Sequence, residues 1–172
     1  SEALRELTVR LALVAMERGG TDSAEAEDVL MTALRDGSAR TAWDSLVEAH
    51  GGDPNPDLLP RPASQHTIVA AGSGWLTGVD ATALGWVAVD LGAGRRTRDE
   101  IIDHGAGLLV HARIGDRIEK NQPLATVLVG ERPVDLLAIE ERVATAFEIV
   151  DEPIDPPPLI LGTIEEVPSS GF

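Results

Sequence analysis

Residues Gly72–Gly130 read GSGWLTGVDATALGWVAVDLGAGRRTRDEIIDHGAGLLVHARIGDRIEKNQPLATVLVG, and this stretch decides the fold. Gly74–Val79 reads as a strand. From about Asp80 to Leu91, Ala83, Leu84, Val87 and Leu91 recur at helical spacing, which predicts an amphipathic helix. That helix runs into Gly92-Ala93-Gly94-Arg95-Arg96, a glycine-rich, basic turn. Two further strands are expected at Leu108–Ala112 and Leu124–Val129, joined through Gly115-Asp116. A small β-rich domain with one inserted helix is therefore the centre of the chain.

Outward from it, the N-terminal side is helical. Ser1 is placed to cap a helix carrying Leu4, Leu7, Leu11 and Val14 on one stripe, and Gly19-Gly20 stops it. Asp22 with Glu25 predicts a capping box for a second helix with Ala26, Val29, Leu30 and Leu34 turned inward. Gly37-Ser38 separates a third, with Ala42, Trp43, Leu46 and Val47, which ends at Gly51-Gly52. Three short helices cannot bury all these stripes on one another, so a sheet is their expected partner. Four prolines in the nine residues Pro54–Pro62 predict an extended linker. The β-rich unit is expected to open near Thr67. On its far side Val134–Ala146 reads as a helix on Leu136, Leu137, Ile139 and Val143. A strand at Ala146–Val150, an edge strand at Leu159–Ile164 and a loose tail from Pro168 follow.

Composition narrows the function. The 172 residues carry a net charge of −15, the reverse of the basic face a nucleic-acid binder needs. No apolar run approaches the roughly 20 residues of a membrane span, and the acidic, polar Ser1-Glu2-Ala3 leads to no expectation of a signal peptide. Cysteine is absent, which removes disulfides and thiolate metal sites. A cytoplasmic setting is expected, with no nucleic-acid or membrane partner.

Few residues invite chemistry. Gly92, Ala93, Gly94, Arg95 and Arg96 could cradle an anion, yet phosphate loops normally precede a helix, whereas this cluster follows one. A helix C-cap with a surface loop is the plainer reading. Asp103-His104 suggests a base with its orienting carboxylate, but neighbours on a strand point to opposite faces, which favours a structural role. His50, His66 and His111 show no metal-ligand spacing, so no metal site is expected. Lys120 is the sole candidate for a biotin or lipoyl attachment, and it stands at a turn before a strand rather than at a hairpin tip.

Several motifs resemble one family in order and spacing. Leu91-Gly92-Ala93-Gly94-Arg95, Ile102-Asp103-His104, Gly115-Asp116-Arg117-Ile118, Lys120 and Pro123-Leu124-Ala125 look like the C-terminal domain of pyrimidine nucleoside phosphorylases, thymidine phosphorylase included. Leu4–Met16 resembles a helix of that family's larger α/β domain. Ala49-His50-Gly51-Gly52-Asp53-Pro54 resembles its linker, and Asp151-Glu152-Pro153 with Pro156-Pro157-Pro158-Leu159 its terminal segment. The glycine-separated strand entries at Ala71–Leu76 and Gly105–Leu109 also resemble biotinyl and lipoyl carrier domains.

The resemblance implies an α+β fold. Residues 1–52 would be a helical remnant of a larger α/β domain, 53–66 a linker, and 67–172 a hammerhead-like domain with a barrel-sandwich, biotinyl/lipoyl-like core. It implies a cofactor-free pentosyltransferase in which phosphate attacks C1′ of thymidine or uridine, homodimeric at full length. The family's phosphate- and base-binding motifs have no counterpart here, so no catalytic residue is assigned, and the chain reads as a C-terminal fragment inactive alone. Gly92–Arg96 would be a cleft-facing lid loop, poorly ordered in this chain. Two alternatives are a free-standing barrel-sandwich interaction module and a relative of anthranilate phosphoribosyltransferase; the β-rich unit after Pro62 argues against the latter.

Overall fold

The computed structural model describes residues 2–162, and its fold is α+β. The expected cap at Ser1 and the tail from Pro168 lie outside the described residues. Contacts divide the chain at Pro56–Asp57 and again at Pro157–Pro158 into two compact units.

The first unit holds α1 (Glu2–Arg18), α2 (Ser23–Asp36) and α3 (Ser38–Ala49), with α2 packed against both others. The Asp22 carboxylate accepts from the N–H groups of Ala24 and Glu25, which fixes the start of α2. Leu13 and Ala26 are the buried hydrophobic residues here. Leu4, Leu11, Val14, Val29, Leu34, Trp43 and Leu46 are exposed instead, so the inward placement expected for Val29 and Leu34 is not what forms. The helices are too few and too short to enclose their own apolar stripes.

The second unit, Asp57–Pro157, contains both sheets. A 3₁₀ turn occupies Pro56–Leu58, and β1 (Ser64–Val69) already begins inside the segment expected to be linker. The first sheet runs β1–β5–β3, with β5 at Pro123–Val129 and β3 at Gly107–Val110, all antiparallel. The second runs β4–β2–β6, with β4 at Arg117–Ile118, β2 at Gly74–Val79 and β6 at Phe147–Val150. Ile68 lies opposite Ala125, and Leu108 opposite Val127. These side chains therefore share one face of the first sheet and turn it into a hydrophobic wall.

Two helices close the core. α4 (Ala81–Leu91) starts where the Asp80 carboxylate accepts from the Ala83 N–H at 2.8 Å. Its Leu84, Val87 and Leu91 join Leu76 and Ile118 of the second sheet in one cluster with Ala125 and Val127 of the first. α5 (Leu136–Thr145) adds Ile139 and Val143, one helical turn apart. Leu137, expected inward, points to solvent because it lies about 100° around the helix from Leu136. The described part of Leu159–Ile164, up to Gly162, has no strand, so the expected edge strand does not form there. Its remaining residues lie outside the described chain.

Candidate functional site

The loop leaving α4 is built by its ends. Gly92 adopts φ 102° at the helix C-cap, a left-handed conformation that favours glycine. Its N–H donates to the Val89 carbonyl, and the Ala93 N–H donates to that of Ala88. Eleven residues beyond Gly92, the Asp103 N–H donates to the Gly92 carbonyl at 2.8 Å, so the segment leaves and returns at one point. Gly94 approaches α4 closely: a Cβ there would stand 2.8 Å from Cγ2 of Val89.

Asp103 holds that point. Its carboxylate accepts from the Glu131 N–H at 2.7 Å and the Gly105 N–H at 3.0 Å. These bonds, Glu131 first, hold its carboxyl below the usual aspartate range. The Asp103-His104 pair does not lie on a strand, as expected from sequence, but at a turn. The bond from Asp103 to the N–H two residues on makes that turn, because a short side chain can stand in for a backbone carbonyl. With both oxygens engaged by backbone, Asp103 is a structural acceptor.

Asp90, on the last turn of α4, forms the second anchor. It accepts from Arg142 of α5 at 2.6 Å and pairs with Arg96 of the loop. The Arg142 hydrogen bond, and after it Arg96, hold the Asp90 carboxyl below its ordinary value against the opposing effect of burial. The Arg96 N–H also donates to the Glu100 carboxylate at 2.8 Å. The three loop arginines are thus unequal. Arg96 is tied down, whereas Arg95 and Arg98 make no ion pair among the described residues. These contacts link the loop to α4 and, through Asp90, to α5.

Of the residues singled out by sequence, Gly92 and Ala93 cap the helix, Gly94 packs on it, Arg96 is an anchor, and Arg95 has no ion-pair partner among the described residues. Sequence reasoning missed Asp90 and Arg142, whose meeting spans 52 positions. For Asp103 the spacing to Gly105 was a usable turn signal. Lys120 lies in the Glu119–Gln122 turn between β4 and β5, which belong to different sheets, so this is no paired hairpin tip. Asn121, at φ 67°, bonds to the Ala70 carbonyl and locks the turn to the one before β2. Among the described residues no group of three His, Asp or Glu converges on a metal position, and no helix is long and apolar enough to cross a membrane.

Residues 75–149, which span β2 to β6 with the loop and both anchors, match the family described as the pyrimidine nucleoside phosphorylase C-terminal domain. The chain contains that domain. Over 159 residues it is 35% identical to a thymidine phosphorylase of Mycobacterium tuberculosis, covering 92% of this chain and 36% of the relative. A pyrimidine-nucleoside phosphorylase of Geobacillus stearothermophilus is 29% identical over 169 residues, 95% of this chain and 39% of the relative. That of Bacillus subtilis is 30% identical over 140 residues, 78% and 32% respectively. The chain spans about a third of the length of these phosphorylases.

Proposed function

We propose that this chain is the C-terminal part of a pyrimidine nucleoside phosphorylase, cleaving thymidine or uridine with phosphate to the free base and a pentose 1-phosphate. The observation that carries this is similarity reaching beyond the matched domain, across 92% of the chain, to a thymidine phosphorylase of which the match covers 36%. On this reading residues 1–52 belong to a larger α/β domain, 53–66 are the linker, and 67–172 form a hammerhead-like domain on a barrel-sandwich core. The single cluster uniting both three-stranded sheets, with α4 inserted, supports that description. The working enzyme would be a cytoplasmic homodimer with phosphate and nucleoside as ligands. Gly92–Arg96 would serve as the lid facing the cleft, with Arg95 as its free donor. The chain itself supplies closure and structure without turnover.

A second reading has its own support. The core of Asp57–Pro157 is self-contained, which suits a free-standing interaction module without catalysis. A chimera separates the two. This chain replaces the matching segment of the Mycobacterium tuberculosis thymidine phosphorylase, and thymidine phosphorolysis is assayed beside the chain alone. Activity in the chimera and none in the chain is expected. A folded chimera with no activity rejects the phosphorylase reading in favour of the module, and activity in the chain alone refutes its dependence on a larger enzyme.

A further inference from the structure

Away from the loop, β1 and α5 bring a hydroxyl, an imidazole and a carboxylate into one line. Ser64 and His66 share a face of β1, since strand residues two apart point the same way. Ser64 Oγ lies 3.1 Å from His66 Nε2. On the other side of the ring, His66 Nδ1 lies 3.5 Å from a carboxylate oxygen of Glu140, on α5. About a third of each of these two side chains remains exposed, and Ser64 is open to solvent. A carboxylate at Nδ1 favours the tautomer with its proton there, which leaves Nε2 to accept from the serine hydroxyl. The order is that of nucleophile, base and orienting acid, an arrangement recognised by geometry rather than by fold or chain order.

We propose that Ser64 is a nucleophile, with His66 as its base and Glu140 as a positioning residue, that accepts acyl groups from activated esters. Ser64 Oγ attacks the acyl carbon while His66 Nε2 takes the hydroxyl proton. The tetrahedral adduct collapses, the bond from carbon to the leaving oxygen breaks, the aryloxide departs with the electron pair, and His66 gives its proton to water. Acyl-Ser64 remains. Water attacking in the same way releases a carboxylic acid and restores the serine, with no redox change and no co-reactant besides water.

The surroundings set the substrate class. General-base assistance is worth roughly 10²–10⁴-fold, and one preorganised oxyanion donor about 10²–10³-fold more. Ser64 stands exposed to solvent, so its hydroxyl lacks the water-excluded setting in which such a donor acts strongly. The site therefore suits esters whose leaving group departs unaided, such as aryl esters, and not peptide bonds. This reaction is separate from phosphorolysis and stands whether or not the phosphorylase reading holds.

Incubating the chain with p-nitrophenyl acetate and mapping the peptides by mass spectrometry tests it. Acetyl is expected on Ser64 with release of p-nitrophenolate. Ser64→Ala should remove that modified peptide, and His66→Gln should slow its appearance about 100-fold or more. Glu140→Gln should slow it as well, with Glu140→Asp restoring part of the rate, which a merely structural carboxylate would not do. Lys120, which lies outside the triad, should be acetylated equally in every variant and so reports equal exposure to reagent. Circular dichroism establishes that each variant is folded; should His66→Gln unfold, Glu140→Gln decides. Label on Lys120 alone, or Ser64 labelled at an unchanged rate in the folded variants, overturns the proposal.

Discussion

The Asp103 carboxylate occupies the space into which a side chain at Gly130 would have to grow. A Cβ built on Gly130 collides with that group, and the group cannot step aside because the N–H groups of Glu131 and Gly105 hold it. Gly130→Ala is therefore expected to cost about 1–3 kcal/mol, the usual range for overpacking, and to lower the denaturant midpoint without changing its slope. An unchanged midpoint would mean that the carboxylate moves freely.

The same carboxylate and Asp90 tie stability to acid. Both have folded values below the ordinary 3.8, so the unfolded chain binds protons more readily. Their contribution is present above the unfolded value and is lost as pH falls through the lower folded ones. Asp103→Asn and Asp90→Asn should each flatten the decline of the thermal midpoint below about pH 4, relative to the unaltered chain at the same pH values. Parallel curves would show that neither carboxyl is linked to folding.

Arg95 and Arg96, alike in sequence, should part in measurement. Arg96 pairs with Asp90, yet more than half of its side chain is exposed, so the pair is worth only about 0.2–1 kcal/mol. Arg96→Ala should lower stability by that amount and speed backbone hydrogen exchange at the Arg96 N–H, now bonded to Glu100. Arg95→Ala should leave both unchanged. Equal effects of the two would contradict the division of labour in the loop.

Local signals and long-range meetings differed in how readily the sequence revealed them. α4 was legible because Asp80 and Gly92 mark its ends chemically, and Gly74–Val79 because glycine brackets a β-rich run. The order β1–β5–β3 was not, since β1 and β5 stand more than fifty residues apart and their pairing depends on closing the whole unit. The loop's existence could be read from its glycines, its fastening could not. Neither Arg96 nor Arg142 advertises a partner, because an arginine pattern does not say which carboxylate folding will bring near.

The helical unit makes a different prediction. Trp43 is 59% exposed and Leu11 63%, beside other open apolar side chains on α1–α3. Burying one such side chain contributes roughly 1.5–3 kcal/mol, and that stabilisation is not realised in this chain. Hydrogen exchange on dilute protein should show weak protection at residues 2–49 and strong protection in β2, α4 and β5. At high concentration sedimentation should reveal self-association through these faces. Uniform protection in a demonstrated monomer would refute the expectation.

Gly92 offers the sharpest comparison between a helix cap and a moving loop. Its φ of 102° is one that a side chain tolerates poorly, and an added Cβ would meet the Cβ of Asp103 at 3.2 Å. Gly92→Ala should cost about 1–2 kcal/mol for the left-handed backbone alone, with more if the Asp103 bond to the Gly92 carbonyl opens. Both ends of the loop would loosen together, because that bond closes it. In the chimeric phosphorylase a lid role requires Arg95→Ala to reduce turnover while the thermal midpoint stays fixed. If the loop is a cap alone, Gly92→Ala lowers stability as stated and Arg95→Ala leaves kcat and KM untouched. Measuring both variants for melting and for phosphorolysis separates the two roles, and a stable, fully active Gly92→Ala would remove the cap as well.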